Sequence, residues 1–298
     1  MSGCGDFPRQ TVRRSRESPQ VAERDDGLGA TRTVIGKYDR GFGWEEARLE
    51  FKLVDARSKE ESRPVAEITV PSRFNGPLES GQGGYTAGLA AGFIAGAVEV
   101  SLRRPVPLDT PLGVACAGEQ SVRVLDGDAL IAEGQAAPDF KLEVPAPVSR
   151  DEARRAREDY RGLAHGLFSR CFVCGRARGD AFGVFAGPVE GRELVASPWT
   201  PPDWTADSKG HVLPEFLWAA LDCPTYFALY PSGELPMSVL GRLTARIDAP
   251  VVVGEEQVVI AWPLEAEGRK RHAGAAVLSP EGETLAVAQA LLIEPRAT

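Results

Sequence analysis

Between Val65 and Ile293 the spacing of apolar positions changes several times, and the changes mark out two similar series of elements. Val65-Ala66-Glu67-Ile68-Thr69-Val70 alternates with period two and predicts a strand, because successive strand side chains point to opposite faces. Phe74-Asn75-Gly76-Pro77 predicts a turn. From Gly83 to about Ala97 the residues are small and apolar, with no charge between Tyr85 and Val98. A helix exposed on one side would carry charge there, so this stretch predicts a helix buried nearly all round. Strands are then expected at Val98–Leu102, Leu112–Ala117, Val122–Leu125 and Leu130–Ala136, the last two joined by a hairpin at Asp126-Gly127. A second series repeats the order. Glu193–Ser197 reads as a strand, Pro214–Leu229 as an apolar helix, and Ser238–Ile247, Gln257–Trp262, Ala273–Leu278 and Leu285–Ile293 as strands.

The likeness reaches individual residues. Val98, Val100 and Leu102 alternate up to Pro105, as Leu243, Ala245 and Ile247 alternate up to Pro250. Asp126-Gly127-Asp128-Ala129-Leu130-Ile131 is matched by Glu281-Gly282-Glu283-Thr284-Leu285-Ala286. The unit is longer than a solenoid repeat, so the pattern predicts two copies of one small domain. In each copy a strand and a loop precede a long apolar helix, and several antiparallel strands follow. A sheet curled around one helix buries it on nearly all sides, which is the hotdog arrangement. The expected fold class is therefore α+β, a tandem double hotdog: two antiparallel sheets, each wrapped around a central apolar helix, side by side as a pseudo-dimer. The expected boundaries are 63–140 for the first hotdog, 141–170 for a linker and 171–298 for the second hotdog. The linker carries a charged helix from Arg150 to Tyr160, capped by Ser149. Residues 1–32, polar and Arg-rich without periodicity, are expected to be a disordered tail. Residues 33–62 form an extra segment, strand or helix, that the alternation of Leu49, Phe51 and Leu53 does not place.

Composition narrows the partners. With 298 residues, 43% hydrophobic and 26% charged, the chain has the makeup of two soluble globular domains. A formal net charge of -8 argues against nucleic acid as the main partner. No apolar run is long enough to span a bilayer, and Met1–Arg32 holds no apolar signal-peptide core. A cytoplasmic protein with reduced thiols is expected. Of five cysteines only Cys171 and Cys174 stand close together. A structural zinc site takes four ligands, and His165, His211 or Cys223 would have to be brought in by the fold. The expectation is no metal, no cofactor, and packing thiols in a knuckle turn. Gly81-x-Gly83 does not make a dinucleotide site, because no strand runs into it, a third Gly in register is missing, and no Walker Lys follows.

Several short motifs carry a resemblance. Phe74-Asn75-Gly76-Pro77, Gly81-Gln82-Gly83-Gly84-Tyr85, Leu102-Arg103-Arg104-Pro105, Cys171-Phe172-Val173-Cys174-Gly175, Trp218-Ala219-Ala220-Leu221-Asp222-Cys223-Pro224 and Leu240-Gly241-Arg242 together resemble the thioesterase-like double-hotdog proteins common in actinobacteria. The resemblance runs from about Val65 to Glu294 and implies acyl-thioester chemistry on acyl-CoA or an acyl-carrier protein. It leaves room for a homodimer of double hotdogs. One large class of hotdog thioesterases carries His-Gly-Gly at the helix start and an acid later on the same helix. In dimers of that class the acid and the N–H donors come from different subunits.

Here Gln82 takes the His position, Gly83 and Gly84 remain, and the acid position is Ala91. The second copy shows the reverse, with Asp222 at the acid position but Pro214 and Glu215 where the glycines would be. A helix start offers free N–H groups to an oxyanion, glycines let a carbonyl approach, and a carboxylate activates water. Proline has no N–H to offer. The expectation is one composite site in which Gln82, Gly83 and Gly84 supply donors and Asp222 the acid. Asn75, Tyr85 and Arg103 are candidate substrate-binding residues, Arg103 toward the coenzyme A phosphates or else a solvated strand residue. Asp222 could instead pair with an arginine such as Arg242, and the glycines could serve close packing. A hotdog hydratase or dehydratase would need an Asp/His pair near a helix start, with His211 the only candidate. A non-catalytic acyl-thioester binding protein is the third reading.

Overall fold

The computed structural model describes residues 23–25, 30–39, 44–52 and 64–294, the last stretch without 119, 163–167 and 233–234. Strands β1 (Glu23–Asp25), β2 (Ala30–Asp39) and β3 (Trp44–Lys52) form a small antiparallel sheet. This corrects the expected tail over 1–32, since Glu23–Asp25 pairs with Ala30–Arg32. The rest of that tail lies outside the described residues. Among its described residues the extra segment contributes strands, with Leu49 and Phe51 on β3 and Leu53 outside the described residues.

The main body follows the predicted order closely. Its first half contains β4 (Ala66–Ile68), α1 (Gly83–Ala91), β5 (Val98–Leu102), β6 (Leu112–Cys116), β7 (Ser121–Asp126) and β8 (Ala129–Ala136). Helix α2 (Arg150–Glu158) connects the halves. The second half contains β9 (Gly187–Pro188), β10 (Val195–Trp199), α3 (Pro214–Leu229), β11 (Val239–Ile247), β12 (Gln257–Glu267), β13 (Lys270–Leu278) and β14 (Thr284–Ile293). A short 3-10 turn precedes each long helix, at Ser72–Phe74 and Asp203–Thr205, and an isolated bridge closes each following loop, Asn75 to Gly81 and Ala206 to Val212. These features align Gln82 with Leu213, Gly84 with Glu215 and Ala91 with Asp222.

The two expected sheets are in fact one sheet of eleven strands, ordered β4-β6-β7-β8-β5-β11-β14-β13-β12-β10-β9. Left alone, β5 and β11 would each be an open edge of unpaired N–H and C=O groups. Pairing them antiparallel satisfies both, with Leu243 opposite Val100 and Ala245 opposite Val98. The alternations that matched in sequence thus meet at the centre of the sheet, and the strand order reads as a mirror image outward from that seam.

Helix α1 ends at Ala91, not near Ala97. Gly92 forms its C-cap, and Gly96 takes a left-handed φ of +82°, where a side chain would be strained. Helix α3 has no glycine and runs the predicted 16 residues. It buries Phe216, Leu217, Trp218, Ala219, Ala220, Leu221, Phe227 and Ala228, so nearly its whole circumference faces core. At α2 the Ser149–Glu152 capping box forms as the sequence suggests, and Ala153 and Ala156 bury beneath it.

Candidate active site at the crossing of α1 and α3

Glycine sets how closely the two helices meet. A Cβ on Gly84 would stand 2.5 Å from the Trp218 carbonyl oxygen and 2.6 Å from Asp222 Cβ, and one on Gly88 would stand 2.5 Å from Glu215 Cα. The pair Gly84/Gly88, one turn apart, is therefore the contact face of α1. The helices run antiparallel, which brings the first turn of α1 to Asp222 in the middle of α3.

At that point Gly84 donates its N–H to Asp222 Oδ2 at 2.8 Å, and Gln82 Nε2 donates to the same oxygen at 2.5 Å. Gln82 is also the N-cap of α1, its Oε1 accepting from Tyr85 N at 2.5 Å, so its amide is oriented at both ends. Both side chains are buried, Gln82 at 2% and Asp222 at 9% exposure. Burial pushes the Asp222 carboxyl up to about 7, the Gly84 N–H opposing and the neighbouring Cys171 adding to the rise. Asp222 Oδ1 accepts no hydrogen bond among the described residues, and Gly83 N–H donates none. Leu102 and Leu240 line the space beside Gly83.

The structure brings Gln82, Gly83, Gly84 and Asp222 together, with one correction to the expected arrangement. Gly84 N–H and the Gln82 amide do not wait for a substrate oxygen but hold the acid itself, because a buried carboxylate needs donors. Asn75, Tyr85 and Arg103 go elsewhere. Asn75 Nδ2 donates to the carbonyls of Gly76, Pro77 and Arg170, and its Oδ1 accepts from Arg178. The Tyr85 ring packs among Phe74, Phe172 and Phe216. Arg103 pairs with Glu133 beside Glu99 and Ser101, which alternate with the helix-facing Val98, Val100 and Leu102. Arg242 pairs with Glu99 and not with Asp222. His211 does have an aspartate near it, Asp207 at 3.8 Å, but the pair is a third exposed and Asp207 is occupied by the backbone N–H groups of Lys209 and His211.

No family model matches the chain, and no curated protein matches it in sequence. Solved structures do match in fold. A candidate thioesterase of Novosphingobium aromaticivorans, 14% identical, covers 80% of this chain and 98% of its own with a TM-score of 0.54. A candidate thioesterase II of Thermobifida fusca, 11% identical, covers 77% of this chain and 92% of its own with a TM-score of 0.50. The chain has the double-hotdog fold of thioesterase-like proteins.

Within this double hotdog the second crossing is bare. Ala91 stands where Asp222 does, and the start of α3 offers Leu213 with no cap bond and Pro214 with no N–H. Glu215 sits against α1 there, its carboxyl pushed up to about 7 by burial. Cys223 Sγ lies 3.6 Å from Gln82 Nε2 and 3.7 Å from Cys171 Sγ, so α3 does carry a third thiol to the Cys171/Cys174 pair. Of the three residues considered in sequence, His165, His211 and Cys223, it is thus Cys223 that the fold brings to the pair among the described residues.

Proposed function

We propose that the protein hydrolyses an acyl thioester, acyl-CoA or acyl-carrier protein, at this one composite site. The reading rests on a single observation: Oδ2 of Asp222 is fixed by Gly84 N–H and Gln82 at a helix start, while Oδ1 accepts no hydrogen bond from the described residues. A carboxylate held on one oxygen presents the other in a defined direction, as a general base requires. In the reaction Asp222 Oδ1 takes a proton from a water as the water oxygen bonds to the thioester carbonyl carbon. The carbonyl oxygen becomes anionic and is met by Gly83 N–H at the positive end of α1. Collapse breaks the C–S bond, and the proton held by Asp222 passes to sulfur, releasing acid and thiol. Leu102 and Leu240 give the acyl group apolar neighbours beside Gly83.

The test is release of free thiol from a panel of acyl-CoAs, followed with a thiol reagent. Asp222→Asn keeps an oxygen for Gly84 and Gln82 but removes the base, and is expected to lower kcat by roughly 10²–10⁴-fold with the fold intact. Equal turnover in the variant defeats the reading. Thermal stabilisation by acyl-CoA without thiol release, in wild type and variant alike, would favour a binding protein whose donors are already taken up by Asp222.

A further inference from the structure

Cys171 and Cys174 stand in a tight turn, and α3 adds a third sulfur from 52 residues away, with Cys223 Sγ 3.7 Å from Cys171 Sγ. All three sulfurs lie within 4.8 Å of one another, and all three are free thiols, two of them fully inside the protein. The turn is built for sulfur. Gly175 N donates to the Cys171 carbonyl at 2.8 Å, and a Cβ on Gly175 would lie 2.5 Å from that same carbonyl oxygen, so only glycine closes it. The Tyr160 hydroxyl donates to the Cys174 carbonyl at 2.7 Å and anchors the turn from the linker side.

The separation is also that of ligands around one ion. Zinc–thiolate bonds of about 2.3 Å in a tetrahedron put neighbouring sulfurs roughly 3.8 Å apart. The Cys171–Cys223 distance is already there, and the Cys174 sulfur lies within 4.8 Å of both. We propose that Cys171, Cys174 and Cys223 form a binding site for one soft divalent cation of the zinc class. Three thiols lose their protons as the ion binds, and a water or other small donor fills the fourth position. Thiolate ligands select such an ion over magnesium or calcium. The site ties the Cys171–Gly175 turn to α3 at the residue next to Asp222. Gln82 Nε2 touches both Cys223 Sγ and Asp222 Oδ2, so the ion would also steady the amide that orients the acid.

The experiment uses the full chain produced in zinc-replete medium. Metal content is measured after gel filtration, and chelator-treated protein is titrated with Co²⁺ while its thiolate-to-cobalt charge-transfer absorption is followed. About one zinc per chain is expected, with a cobalt band that saturates near one equivalent, since a single three-sulfur site takes one ion. Cys171→Ser and Cys223→Ser should each lose both signals. Substoichiometric zinc with no cobalt band in the wild-type chain overturns the proposal, whether or not the serine variants fold. So does recovery of a Cys171–Cys223 disulfide that, once reduced, still takes no cobalt. Thioester hydrolysis enters none of these readouts, so this proposal and the thioesterase reading can fail separately.

Discussion

Gly84→Ala is the sharpest probe of the helix crossing, because the structure fixes what the added methyl meets. The new Cβ would lie 2.5 Å from the Trp218 carbonyl oxygen, 2.6 Å from Asp222 Cβ and 3.1 Å from Ala219 Cα. Two of these are backbone atoms of α3, so no rotamer change relieves the clash and the helices must part. Overpacking of this kind costs about 1–3 kcal/mol. Parting the helices also weakens the Gly84 N–H bond to a charged acceptor, worth about 1.5–3 kcal/mol. The better helix propensity of alanine returns about 1 kcal/mol. The net expectation is a loss of roughly 2–4 kcal/mol. Gly92→Ala is the matched control, since Gly92 already has helical angles and its Cβ would meet nothing closer than 3.4 Å. There alanine should be neutral or stabilising by up to about 1 kcal/mol. Urea unfolding followed by circular dichroism reads both, and acyl-CoA turnover reads the displacement of Asp222. If the Gly84→Ala midpoint and turnover stay with the wild type while Gly92→Ala behaves as expected, the close crossing and the site built on it are refuted.

Three further outcomes follow from the same geometry. Gln82→Ala removes the N-cap bond to Tyr85 and one of two donors to Asp222, so it should cost about 0.5–2 kcal/mol in unfolding and lower kcat more than it raises KM. Glu215 has a folded pKa of about 7 against an ordinary 4.5, so its favourable share of stability is complete below about 4.5 and is lost as pH rises through 7. Unfolding free energies from pH 4 to 8 should therefore fall by up to about 3 kcal/mol more for wild type than for Glu215→Gln, and parallel curves would contradict this. Ala91→Asp places a second carboxyl at the crossing where Glu215 already sits and Leu213 offers no amide, and should destabilise by about 3 kcal/mol or more without adding turnover.

The sequence carried the fold well where composition and period speak together. The bounds Pro214–Leu229 match the prediction, because Pro214 suits the first turn of a helix and no glycine interrupts the mostly apolar run. The same rule misled at Gly83–Ala97, where apolarity suggested a long helix but Gly92 and Gly96 set the end. Strand periodicity located β5 and β11 and matched them to each other, yet could not show that they hydrogen-bond. An edge strand and an interior strand with one buried face have the same alternation, so joining two sheets into one is a fact of pairing alone. The candidate site was legible as a comparison between copies, Gln82-Gly83-Gly84 in one and Asp222 in the other. The direction of the donors was not, because whether an N–H faces a substrate or the acid depends on how closely the helices pack. Asn75, Tyr85 and Arg103 were drawn in by motif likeness, and nothing local to them could say that backbone, ring and ion-pair partners already occupied them.

That packing explains why an acid stands at position 222 and none at the matching position 91. A carboxylate in the helix core is tolerable only with donors, and the start of α1 supplies two to Asp222. Those donors exist because Gly84 lets α3 come within hydrogen-bond reach and Gln82 has its amide held by the Tyr85 N–H. At the other crossing Leu213 brings no polar atom in place of the Gln82 amide, and Glu215, aligned with Gly84, already sets a buried carboxyl there, so an acid at position 91 would be a second carboxyl without an amide donor. The missing amide and the missing acid at that crossing are then linked, and the same logic ties the remaining three groups together. Changing Gly84 or Gln82 exposes Asp222 to an uncompensated burial, and removing Asp222 leaves Gly84 N–H and the Gln82 amide unpaired in the core. Gln82 extends this dependence to Cys223 through its second contact. The glycine-rich start of α1 therefore acts as a holder for a residue in the other half of the chain.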